Sequence, residues 1–196
     1  MGVASGLLKT AINGLQGAMR DIGREIDKEE ISDIVLSHAV IATGVGVGGG
    51  LIPGVGPALS IGGVAATLFT MYVRLAKAVG VTLKEGTLKA LISGIVADLS
   101  SVVIVNLGLA TIVSFVPGIG SVASAALSAV GDFAMTYIGG YIFIKMLTAI
   151  FKSKKDITKM GKTELTTLAS SIIVSTNMKA IVKEAKSEYT EHKEQK

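Results

Sequence analysis

Hydrophobic and polar positions alternate along this chain in blocks. Over residues 3–24, Leu7, Leu8, Ala11, Ile12, Leu15, Met19 and Ile22 recur at three- and four-residue steps, with Lys9, Asn13, Gln16 and Arg20 opposite. That spacing predicts an amphipathic helix. Two uses fit its apolar face: lying in a membrane interface, or capping a helical bundle. Residues 20–33 then alternate in charge, and they read as a solvated connection leading into the acidic first turn of a second helix.

Two long runs follow, 34–52 and 55–73, with no formal charge if His38 is neutral. A third runs from Leu99 to Val116. A helix needs about 20 apolar residues to cross the hydrocarbon core of a bilayer, and the first two runs are just long enough. Pro53-Gly54 separates the first pair of runs, and Pro117-Gly118 ends the third. Proline fixes φ and bars the preceding residue from helix, and glycine then permits φ > 0. Each Pro-Gly therefore predicts a tight reversal between two apolar helices, with Gly56 and Gly120 completing the turns. Helices are predicted near 4–22, 30–51, 56–80, 84–115, 119–151 and 163–186.

The two reversals belong to a repeat. A shift of 64 residues brings Pro53, Gly54, Gly56, Ser60, Phe69 and Met71 onto Pro117, Gly118, Gly120, Ser124, Phe133 and Met135. The predicted fold is thus all-α, a bundle of two pseudo-repeated apolar hairpins with flanking amphipathic helices. It divides into an N-terminal helix and charged connection (1–33), the double hairpin (34–151) and a basic tail with one helix (152–196).

Composition sharpens the picture. Of 196 residues, 49% are hydrophobic and 17% charged, with a mean hydropathy of +0.61. Typical soluble domains carry roughly 25% charged residues. The 24 glycines suit helices that approach closely: Gly44 and Gly48 have small-xxx-small spacing, and Ser124 and Ser128 repeat it in the second hairpin. The absence of cysteine excludes disulfides and thiolate metal sites. The net charge is +4. Between Leu99 and Ala149 the only basic residue is Lys145, and none lies between Ile34 and Val73. If the apolar helices span a membrane, the basic N-terminal segment, the 74–98 linker and the tail share one side. The positive-inside rule makes that side cytoplasmic.

Candidate chemistry is thin. His38 and His192 are isolated from one another in sequence, and no paired carboxylates stand out. The glycines at 44–50 lack the following Lys-Ser/Thr and the preceding strand of a phosphate loop. The basic residues are interleaved with acids and not with aromatics, which argues against nucleic acid. No enzyme, metal or cofactor is expected. Asp132 and Asn106 are the polar groups placed within apolar stretches. An ionisable group in lipid is costly and often functional, but a pair with Arg74, Lys77 or Lys145, or a solvated helix face, also accounts for Asp132.

At its turns the chain resembles a known family: the bacterial helical domain of uncharacterised function that accompanies Era-like GTPases, some members being inner-membrane proteins. The resemblance rests on Gly50-Leu51-Ile52-Pro53 through Met71-Tyr72-Val73-Arg74-Leu75-Ala76-Lys77, and on Val116-Pro117-Gly118-Ile119-Gly120 through Thr136-Tyr137. It covers about residues 48–147. The family often has an Asp shortly after the first Pro, where this chain has Leu59 and Ser60, and no GTPase motif occurs here. The resemblance implies an inner-membrane location and a separate GTPase partner. Three functions remain open: a membrane-embedded or membrane-associated scaffold that oligomerises and anchors a partner, a pore-forming or membrane-inserting effector, and a soluble helical homo-oligomer.

Overall fold

A computed structural model describes residues 6–50, 56–107 and 121–194, without the side chains of 45–50, 56–62, 101–107 and 121–128. Seven α-helices account for nearly all of it: α1 (Gly6–Arg20), α2 (Lys28–Gly50), α3 (Gly56–Ala78), α4 (Glu85–Leu107), α5 (Ser121–Lys152), α6 (Lys162–Ser175) and α7 (Met178–Glu194). A 3-10 turn, Ile157–Lys159, joins α5 to α6. No strand occurs among the described residues, so the Val- and Ile-rich stretch after Leu99 is helical as far as Leu107.

Local signals set the boundaries. Asp27 caps α2, accepting hydrogen bonds from the amides of Glu29 (2.8 Å) and Glu30 (3.2 Å). An Asp three residues before a Glu is a helix-start signature, and it starts α2 two residues before the predicted position. The predicted single helix over 163–186 is in fact two. Thr176 adopts an extended conformation, and the Asn177 side chain accepts from the amide of Ala180 at 3.1 Å. Asn is a strong N-cap residue, so the chain restarts as α7, bent by 87° from α6.

The helices surround α5, which packs against all six others. From Asp132 to Ile144 every residue is buried except the partly covered Met135, as expected of a helix that is apolar nearly all round. Gly139 and Gly140 allow this. A Cβ on Gly139 would lie 2.6 Å from Leu68 Cδ2, and one on Gly140 would lie 2.9 Å from Val35 Cγ1. Bare backbone at these positions lets α3 and α2 sit directly on α5. Tyr72 of α3 stacks on Phe143 (centroids 4.2 Å apart, 7° between planes) and donates its hydroxyl to the Gly139 carbonyl at 2.9 Å. Each such fully buried side chain contributes roughly 1.5–3 kcal/mol through burial.

α1 lays Leu8, Ala11, Ile12, Leu15, Ala18 and Met19 into the same core. Of its two predicted uses, capping the bundle is the one observed. The last 45 residues also join the core, through Leu165, Ala169, Ile172 and Ile173 of α6 and Ile181, Val182 and Ala185 of α7.

Candidate functional site

Three helices end at one place. α1, α3 and α5 close with the same C-cap, a left-handed residue followed by paired backward hydrogen bonds. Gly23 (φ 72°), Gly80 (φ 72°) and Lys154 (φ 54°) are the left-handed residues. The amides of Arg24, Val81 and Lys155 reach back to the carbonyls of Met19 (2.9 Å), Ala76 (2.8 Å) and Ile150 (3.2 Å). Glycine fits this cap at little cost, whereas Lys154 holds it with a side chain.

Between the caps lies an open cleft of about 530 Å³, walled by Ile22, Arg24, Gly80, Thr82, Phe151, Lys154, Lys155, Asp156 and Thr158. A second hollow shares Arg24 and Gly80 and adds Glu25 and Lys77. The cations have a structural cause, because helix C-termini carry partial negative charge and attract basic side chains. Acids balance them further. Lys155 Nζ lies 2.6 Å from Glu164 Oε1. The Thr158 hydroxyl, with its amide, holds the Asp156 carboxyl below the usual carboxylate range. The cleft thus offers an open, charged surface rather than a pocket that isolates one reactive group.

This end gathers the starts and finishes of the long helices. Gly80, after α3, sits beside Arg24, before α2, and Gly86, at the start of α4, sits beside Lys162 at the start of α6. α2, α3 and α4 each span 23 residues, or about 34 Å. Their other ends, with the start of α5, therefore lie far from the charge. Those ends are formed by residues 45–50, 56–62, 101–107 and 121–128, and neither they nor the residues that join them in sequence include any Asp, Glu, Lys or Arg.

A second polar junction lies midway along α5. Glu184 of α7 accepts the amides of Leu7 (2.6 Å) and Leu8 (2.9 Å) at the start of α1, and the Tyr137 hydroxyl at 2.9 Å. A carboxylate at a helix N-terminus satisfies orphan amides and meets the positive end of the macrodipole. Phe133 packs edge-on against Tyr189 at 5.4 Å. α7 thereby crosses α5 near Tyr137 and ties it to α1.

The predicted site residues divide between described and undescribed parts of the chain. Pro53, Gly54, Pro117, Gly118 and Gly120 lie outside the described residues. Gly56 is the first residue of α3. Gly48 and Asn106 lie in α2 and α4, and Ser124 and Ser128 in α5. Gly44 is exposed, with no packing atom of the described residues within 4 Å of where its Cβ would be. Among the described glycines, Gly139 and Gly140 make the closest helix contacts, two adjacent glycines inside an otherwise bulky run. Asp132 is 6% exposed and engaged in polar interaction, which excludes a solvated face. Lys145 is 13 residues further along the same helix, about 20 Å away, which excludes it as a partner. His38 is buried and donates Nδ1–H to the Ile34 carbonyl at 2.7 Å, a hydrogen bond within its own helix. Among the described residues, no three His, Asp or Glu side chains come together as a metal site would require. Comparison with known protein families, curated proteins and solved structures finds no match.

Proposed function

We propose that this chain is a non-enzymatic, membrane-associated helical module, a scaffold or anchor whose charged end stays in water and whose two uncharged ends enter a bilayer. One observation carries the reading. Four long helices share a charged end, and their other ends, together with the sequence that joins them, 45–62 and 101–128, contain no formal charge. Charged side chains sit mostly on water-facing surface, and these ends supply none. In bacteria the water-facing end is cytoplasmic by the positive-inside rule.

Oligomerisation belongs to the same proposal. On α2, Ile41 is 57% exposed, Gly44 stands in open space and Gly48 follows at helical spacing, which gives a small-residue face that suits a second copy. The resemblance of residues 48–147 to the domains accompanying Era-like GTPases adds a separate GTPase as the partner, and the cleft at the charged end is the water-facing surface for it.

A second reading, a soluble helical homo-oligomer, is favoured by α5. Ala129–Lys152 is the one single helix among the described residues long and apolar enough to cross a membrane, and 78% of its most apolar window is buried inside the bundle. The core alone accounts for that composition. Fractionation separates the two readings. Pelleting with membranes and resistance to alkaline carbonate support membrane insertion. Recovery in the soluble fraction before any carbonate wash overturns it.

A further inference from the structure

We propose that one flank of α7, carrying Lys179, Lys183 and Lys186, is the surface on which this protein meets the anionic headgroups of a bilayer. This rests on the membrane reading above and names the lipid chemistry and the residues involved.

α7 has three faces. Ile181, Val182 and Ala185 form a buried seam. Lys179, Lys183 and Lys186 recur at steps of four and three, with Lys193 a further seven on, so they line one flank of the helix. Glu184, Glu188 and Glu191 recur at the same steps on the other flank. All four lysines are exposed, whereas Glu184 and Glu188 are partly covered. Among the described residues none of these lysines forms an ion pair.

The orientation of the flanks follows from α1. Its N-terminus sits on Glu184, and its C-terminus lines the charged cleft through Met19, Ile22 and Arg24. The body of α1 therefore lies on the charged-end side of α7, and the glutamate flank turns that way. The lysine flank turns away from α1, toward the ends of the bundle that carry no charge.

α7 also sits at the right level along the bundle. It crosses α5 at Tyr137 and Phe133, and beyond Asp132 the chain has no further charge back to Leu99. If the uncharged ends enter lipid, this helix lies at the boundary between lipid and water. Lysines there snorkel toward phosphate groups, and each basic side chain near an anionic surface strengthens binding several-fold at low salt. The glutamates on the opposite flank stay on the water side, away from the same phosphates. One helix thus sorts its charges by the side of the boundary they face.

The experiment is vesicle flotation of the full chain and of K179Q/K183Q/K186Q, with E191Q/E194Q as control. Vesicles contain phosphatidylglycerol in phosphatidylcholine, or phosphatidylcholine alone. The expected result is stronger wild-type binding to the anionic vesicles, weakened by salt. The lysine variant should lose on the order of 100-fold in partition onto them and behave like wild type on phosphatidylcholine. The glutamate variant should lose nothing. Unfolding curves should be unchanged, because the replaced side chains are exposed. Wild-type-like binding of the lysine variant to anionic vesicles overturns the inference and leaves the membrane reading standing. Failure of the wild type to float with either vesicle overturns both.

Discussion

α3 and α5 are the second helices of the two repeats, yet they occupy different places. α3 carries an exposed stripe of Ala66, Thr70, Val73, Arg74 and Lys77. α5 shows no such stripe from Asp132 to Ile144. The repeat positions even exchange roles: Met71 is fully buried and Phe69 partly, whereas Phe133 is fully buried and Met135 partly. The difference comes from what is added around α5. α1, α6 and α7, all outside the repeat, pack on it, and Gly139-Gly140 lets α2 and α3 in closely. Apolar composition in α5 therefore reports a core, and a case for membrane entry has to stand on the uncharged ends beyond that core.

The largest effect that separates the two helices is at the repeat-related phenylalanines. Phe133→Ala should cost about 3–5 kcal/mol and Phe69→Ala clearly less, read by chemical denaturation. Equal costs would mean that α3 is as enclosed as α5. Gly139→Val should follow, at about 1–3 kcal/mol, because its side chain meets Leu68 with no room to yield. Ala66→Val, on the exposed stripe of α3, should stay within about 0.5 kcal/mol.

Glu184→Ala should cost about 1–2 kcal/mol by removing the cap on α1. Hydrogen exchange locates the effect: the amides of Leu7 and Leu8 lose protection while those in the middle of α5 keep theirs. Uniform loss across both helices would mean that Glu184 supports the whole bundle rather than the outer helix. Tyr72→Phe should cost about 1 kcal/mol, since it removes one hydroxyl between α3 and α5 and leaves the stack on Phe143.

Much of the fold was legible because local rules were enough. The three- and four-residue steps of α1 marked its buried face, and the apolar runs gave α2 to α5 within a few residues where described. The break between α6 and α7 was not read, although Asn177 carries its signal, because the apolar positions at 165–173 and 181–185 run on at helical spacing across it. The central place of α5 was not legible either. Periodicity states that a helix has no polar face, and it does not say which neighbours cover it. Of the packing glycines predicted from spacing, Gly44 brings no described helix close, and the surroundings of Gly48 lie outside the described residues. Gly139 and Gly140 bring helices together, adjacent rather than spaced. The charged cleft escaped the sequence for a related reason: Gly23, Gly80 and Lys154 are far apart along the chain, and only the shared direction of α1, α3 and α5 joins them. The Lys and Glu spacing of α7 was readable, but its meaning depends on where α1 begins.

Membrane entry of the uncharged ends is tested most directly by the environment at the two Pro-Gly positions. The chain has no cysteine, so single cysteines at Gly54, Gly118 and Lys84 can each carry an environment-sensitive fluorophore. On adding vesicles, the account predicts a blue shift at Gly54 and Gly118, with quenching by a lipid-embedded quencher, and an aqueous spectrum at Lys84. Aqueous emission at both Gly54 and Gly118 in vesicle-bound protein would contradict it.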